Sequence, residues 1–97
     1  MDKMIYLNNL YDYYQNLLTE KQRLYFEEYY FNNLSLGEIA ENYDVSRNAV
    51  FNQLKLVEKK LYEYEEYLQL YEKKNKIISI LEEKIRKEDL KRIEELL

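Results

Sequence analysis

A chain of 97 residues with no proline and one glycine, Gly37, has almost nothing with which to make the tight turns that a β-sheet needs. Its elements have to be ended by capping side chains and by the few residues that tolerate a left-handed backbone. With 35% charged and 46% hydrophobic residues, the composition suits amphipathic helices around one small core. The expected fold class is all-α.

The same composition narrows the chemistry. The chain contains no cysteine and no histidine, so it offers no thiolate nucleophile, no imidazole base, no disulfide and neither of the common zinc ligands. Ser35 and Ser46 are better read as helix caps than as nucleophiles, since neither has a base to activate it. Adjacent carboxylates such as Glu27-Glu28 and Glu65-Glu66 point apart on a helix and do not converge on one ligand. No catalytic activity, metal or cofactor is expected. No apolar run approaches the roughly 18 residues of a membrane span, and Met1-Asp2-Lys3 opens no signal-peptide pattern, so a cytoplasmic protein without membrane insertion is the expectation.

Periodicity divides the chain. Leu7, Leu10, Tyr11, Tyr14, Leu17 and Leu18 recur in steps of three and four, which predicts a first helix over roughly residues 3–17. Thr19 with Gln22 and Ser35 with Glu38 have capping-box spacing, and Asn32-Asn33 favours a break between the two helices they open. Ser46 is a third N-cap, and nothing from Arg47 to about Tyr71 would stop a helix. Ile39, Ala40 and Tyr43, then Val45, then Val50 and Leu54 supply the inner faces and the turn plug of a helix-turn-helix. Asp44 stands at the turn position usually given to glycine, and aspartate tolerates positive φ there. The outer side of the second helix carries Arg47, Asn48, Phe51, Asn52, Gln53 and Lys55, of which Arg47, Asn48, Phe51, Asn52 and Lys55 are the candidate nucleic-acid-binding residues.

Charge tempers that reading. The net charge is −4, and residues 1–45 carry 3 basic against 8 acidic groups. Two cations on the recognition helix, with Lys59 and Lys60 a turn further on, neutralise few phosphates.

Leu54, Val57, Leu61, Tyr64, Leu68 and Tyr71 form a heptad seam that continues through Asn75 to Ile78. Two arrangements would bury it: pairing with a second copy, or folding back on the N-terminal helices of the same chain. The seam offers more apolar length than a small bundle covers, so a homodimer is expected, with Leu61, Tyr64, Leu68, Tyr71 and Asn75 at its interface. Leu90, Ile93 and Leu97 then mark a separate amphipathic tail helix whose charges are mixed in sign. The division expected is a helix-turn-helix domain over residues 1–60 and a helical extension over 61–97, joined as one continuous unit.

Leu18 to Val57 resembles the promoter-binding region 4 of bacterial sigma factors, on the Leu-Thr helix start, Glu38-Ile39-Ala40 and Val45-Ser46. Over about residues 4–72 the chain resembles the YlxM-type family, on Leu-Tyr-Asp-Tyr-Tyr (10–14), Leu-Leu-Thr-Glu-Lys-Gln-Arg (17–23), Tyr-Tyr (29–30), Ser-Leu-Gly-Glu-Ile-Ala-Glu (35–41), Val-Ser-Arg-Asn-Ala-Val (45–50) and Glu-Tyr-Glu (63–65). That resemblance implies a sigma-like helix-turn-helix and an accessory or regulatory role in co-translational targeting, with signal recognition particle components and RNA as partners. The alternative that the residues leave open is a dimeric DNA-binding transcription regulator.

Overall fold

The computed structural model describes residues 2–97, which form six helices: α1 Lys3–Tyr14, α2 Glu20–Tyr30, α3 Leu36–Tyr43, α4 Arg47–Leu68, α5 Leu70–Leu81 and α6 Lys87–Leu96. The helix starts follow the capping residues. The Gln22 amide donates to Thr19 Oγ1 (3.2 Å), and the Thr19 amide donates back to Gln22 Oε1 (3.1 Å). Ser35 and Glu38 make the same reciprocal pair, and the Ala49 amide donates to Ser46 Oγ at 3.0 Å. The Glu38 carboxyl is held below its ordinary pKa because it accepts the Ser35 amide. Each cap satisfies an amide that a helix start leaves without a partner.

The first helix is shorter than its periodicity predicts. It ends at Tyr14 and tightens into a 3-10 turn over Gln15–Leu17, and Arg23 Nη1 of α2 donates to Gln15 O of that turn (3.4 Å) and to Leu18 O just after it (2.7 Å).

The core lies in two joined clusters, and α4 serves both. Its Val50 and Leu54 pack with Tyr25, Ile39 and Ala40, while its Val57 and Leu61 pack with Leu7, Leu10, Tyr11, Tyr14, Leu18 and Phe26. The boundary expected at residue 60 therefore falls inside an unbroken helix, and the extension begins as a continuation of the helix-turn-helix. Tyrosines dominate the first cluster. Tyr11 stacks on Phe26 with centroids 4.3 Å apart, and buried hydroxyls end on carboxylates: Tyr11 donates to Glu27 Oε2 (2.7 Å) and Tyr14 to Glu65 Oε1 (2.6 Å).

The heptad seam is not continuous. α4 stops at Leu68 because Gln69 takes a left-handed conformation (φ 55°, ψ 32°), and α5 starts immediately afterwards. Glu65 holds this break. Its carboxylate, in the last turn of α4, accepts the amides of Tyr71 (3.2 Å) and Glu72 (3.1 Å), while the Tyr14 hydroxyl accepts the Leu70 amide (3.1 Å). The first three amides of α5 are thus capped from α4 and α1, and the seam up to Tyr71, Leu68 excepted, folds back on its own chain. Leu61 is fully buried there, and Tyr64 and Tyr71 are half-buried against the core. These three residues, expected at a dimer interface, are occupied within the protomer. Leu68 and Asn75 remain exposed.

α5 leans on α1 and α6 packs on α5, but neither helix has a fully buried residue. The outcome is an elongated molecule, 53 × 25 × 23 Å, with a compact N-terminal body and a thin helical arm.

Candidate nucleic-acid interface

The helix-turn-helix consists of α3, a three-residue turn and the first half of α4. Asp44 adopts φ 53°, ψ 49°, and its amide and that of Val45 return to the last carbonyls of α3: Asp44 N to Glu41 O (3.4 Å) and Val45 N to Ala40 O (3.0 Å). This is a Schellman closure with aspartate in the usual glycine position. Val45 packs beside Ile39 and Ala40, which plugs the turn and fixes the angle at which α4 leaves.

With Val50 and Leu54 committed to the core, the opposite arc of α4 faces solvent. Arg47, Asn48, Phe51, Asn52 and Lys55 are all exposed and, at 100° per residue, span an arc of about 140°. Phe51 is 45% exposed, against 0% for Val50 beside it. Gln53, read from the sequence as part of the outer side, is half-buried, and its side-chain oxygen accepts from Gln22 Nε2 at 3.4 Å. It supports the α2–α4 contact rather than the outer face.

The electrostatics are weaker than the two cations suggest. Lys55 Nζ lies 3.8 Å from Glu58, and Glu58 is also bound by Lys3 at 2.7 Å, a contact from α1 that sequence spacing cannot show. That hydrogen bond and charge raise the Lys3 ammonium above its ordinary pKa. Arg47 makes no ion pair among the described residues. The motif's first helix exposes two acids, Glu38 and Glu41, and its turn exposes a third, Asp44.

Phe51 separates two depressions. One, of about 320 Å³, lies between Leu36, Arg47, Asn48 and Phe51; the other, of about 110 Å³, is formed by Tyr29, Tyr30, Leu36, Leu54, Lys55 and Glu58 around the far side of the ring. Lys55 Nζ stands 5.6 Å from the ring centroid. Among the described residues no three metal-ligating side chains converge, and no helix is long and apolar enough to cross a membrane.

The profile of the family described as "Putative helix-turn-helix protein, YlxM / p13 like" matches residues 1–97. A UPF0122 protein of Halalkalibacterium halodurans is 50% identical over 91 residues, which cover 91% of this chain and 84% of that protein. One from Shouchella clausii is 53% identical over 73 residues, covering 75% and 67%. A third, from Bacillus cereus, is 45% identical over 92 residues, covering 92% and 84%.

Proposed function

Because the chain belongs to the YlxM / p13-like helix-turn-helix family, we propose that it is a non-catalytic cytoplasmic accessory factor of the signal recognition particle pathway, binding nucleic acid through the outer arc of α4. The observation that carries the binding half of this reading is the arc itself. Arg47, Asn48, Phe51, Asn52 and Lys55 are held in solvent on one helix whose inner face is locked into the core. Arginine and lysine supply phosphate contacts, asparagine supplies a paired donor and acceptor for a base edge, and phenylalanine supplies a stacking face. The pathway assignment draws its support from the sequence resemblance in residues 4–72.

The second reading, a dimeric transcription regulator, draws on the helix-turn-helix geometry, which places a second helix for the major groove. The acids count against it. In duplex docking the first helix of the motif crosses the phosphate backbone, and here that helix exposes Glu38 and Glu41.

The experiment is recovery of the tagged protein from native lysate, with and without ribonuclease or deoxyribonuclease, followed by sequencing of the retained nucleic acid. Enrichment of signal recognition particle RNA that ribonuclease abolishes is the expected result. Enrichment of DNA fragments sharing one palindromic site would overturn it in favour of the regulator.

A further inference from the structure

Phe51, in the second turn of α4, presents an exposed aromatic ring among the polar residues of the recognition arc. Phe51 is 45% exposed although Leu36 and Leu54 line the same depression, and it stands as a wall between two depressions, with Lys55 Nζ 5.6 Å from its ring centroid. The larger depression, about 320 Å³, is at the lower end of the range of small-ligand sites and has one aromatic wall, one aliphatic wall from Leu36, and two polar groups, Arg47 and Asn48, at its edge. A planar, polar-edged heterocycle fits that chemistry. Its face would stack on Phe51 while its edge meets the Asn48 amide, and the chain that carries it would bring a phosphate to Arg47 or Lys55.

A base inside an intact duplex cannot reach this position, because its faces are already covered by its neighbours. The charge distribution points the same way. A continuous duplex requires many phosphate contacts, yet Lys55 is shared with Glu58, and the motif's first helix exposes Glu38 and Glu41 and its turn Asp44. Stacking depends far less on cation number, and an unpaired strand can be threaded past the acids.

We propose that the cleft walled by Phe51 and Leu36 and edged by Arg47 and Asn48 is a subsite for one unpaired nucleobase, so that the preferred ligand is a single-stranded or looped segment rather than continuous duplex. This rests on the nucleic-acid reading of α4 given above and names the class of ligand for that site.

The sequence contains no tryptophan, so Phe51→Trp places a single reporter in the cleft. The probes are oligoadenylate of about a dozen nucleotides, within the footprint of small single-strand binders, and the same strand annealed to its oligouridylate complement. The expected result is quenching of the Trp emission by the single strand and not by the duplex. In parallel, Phe51→Leu should weaken single-strand binding by the parent chain roughly 10- to 100-fold, the span of one lost stacking contact, with an unchanged circular-dichroism melt. Duplex bound as tightly as single strand, or single-strand binding indifferent to Phe51→Leu, overturns the subsite while leaving nucleic-acid binding by α4 in place. Failure of both probes to bind at all overturns the subsite, while the nucleic-acid reading stands or falls on the recovery from native lysate.

Discussion

Replacing Glu65 with alanine should cost this small protein a large part of its stability, although the residue touches no exposed functional face. The wild-type carboxylate, 8% exposed, accepts the Tyr14 hydroxyl at 2.6 Å and the Tyr71 and Glu72 amides at 3.2 and 3.1 Å. Alanine removes a helix cap, an effect of about 0.5–2 kcal/mol. It also leaves a buried hydroxyl without its acceptor, at about 1–3 kcal/mol. Against this stands the relief of a desolvated carboxylate, so a net loss of about 2–3 kcal/mol is expected. For a domain of this size that lowers the melting temperature by roughly 10–20 °C. Thermal circular dichroism measures it, and amide hydrogen exchange localises it: protection at Leu70, Tyr71 and Glu72 should fall more than protection at Val50 or Leu54. Glu65→Gln keeps one acceptor oxygen and should fall between the two. A Glu65→Ala melt within a degree or two of the parent would show that α5 is not held by this cap.

Stability should also decline at alkaline pH. Burial and the hydrogen bond to Glu65 push the Tyr14 hydroxyl up to about 12, and burial with the Glu27 bond pushes Tyr11 up as well. An unfolded tyrosine titrates near 10, so the full contribution is present below about pH 10 and is lost as pH rises through the folded value. Urea unfolding between pH 8 and 12 tests this, and Tyr14→Phe should flatten the curve. Gly37 lies within α3 with ordinary φ, and an added Cβ would meet only Ser35 Oγ at 3.9 Å, so Gly37→Ala should stabilise by about 0.5–1 kcal/mol in the same denaturation assay. We expect a homodimer in sedimentation at micromolar concentration, formed through the face that the fold leaves open, with Leu68 44%, Leu70 44%, Ile77 41% and Ile80 66% exposed. Ile77→Glu with Ile80→Glu should then yield a folded monomer, whereas Leu61→Glu should unfold the chain; a parent that sediments as a monomer refutes the dimer.

What the sequence made legible was local. Thr19, Ser35 and Ser46 act within a few residues of themselves, so their spacing to Gln22, Glu38 and Ala49 sufficed to place three helix starts. The turn at Asp44 was legible for the same reason: a left-handed residue between two inner faces leaves few alternatives. The break at Gln69 was not. No breaker marks it, and the groups that stabilise it, Tyr14 and Glu65, lie 51 residues apart in sequence. The heptad pattern was correct that Leu54, Val57 and Leu61 of α4 point inward and not that Leu68 does, and periodicity cannot say whether the buried face meets the same chain or another. The high tyrosine count, which A/T-rich codons would also produce, proved to have a structural use, since Tyr11 and Tyr14 bury a ring, Tyr43 half-buries one, and all three end on a carboxylate. At the candidate interface the exposed arc followed from helical phase, whereas the pairing of Lys55 and Lys3 through Glu58 depends on how α1 crosses α4.

If nucleic acid meets the outer arc of α4, the salt dependence of binding for the parent, Arg47→Ala and Lys55→Glu with one labelled single-stranded oligonucleotide will show it. Each lost phosphate contact should reduce the slope of log K against log salt by about 0.7 for a single strand, and Lys55→Glu should weaken binding more than Arg47→Ala does because it adds a repulsive charge. Helical circular dichroism should be unchanged in both, since neither side chain is buried. Two variants that bind with the parent's affinity and the parent's slope at every salt concentration would contradict the claim and place the nucleic acid elsewhere.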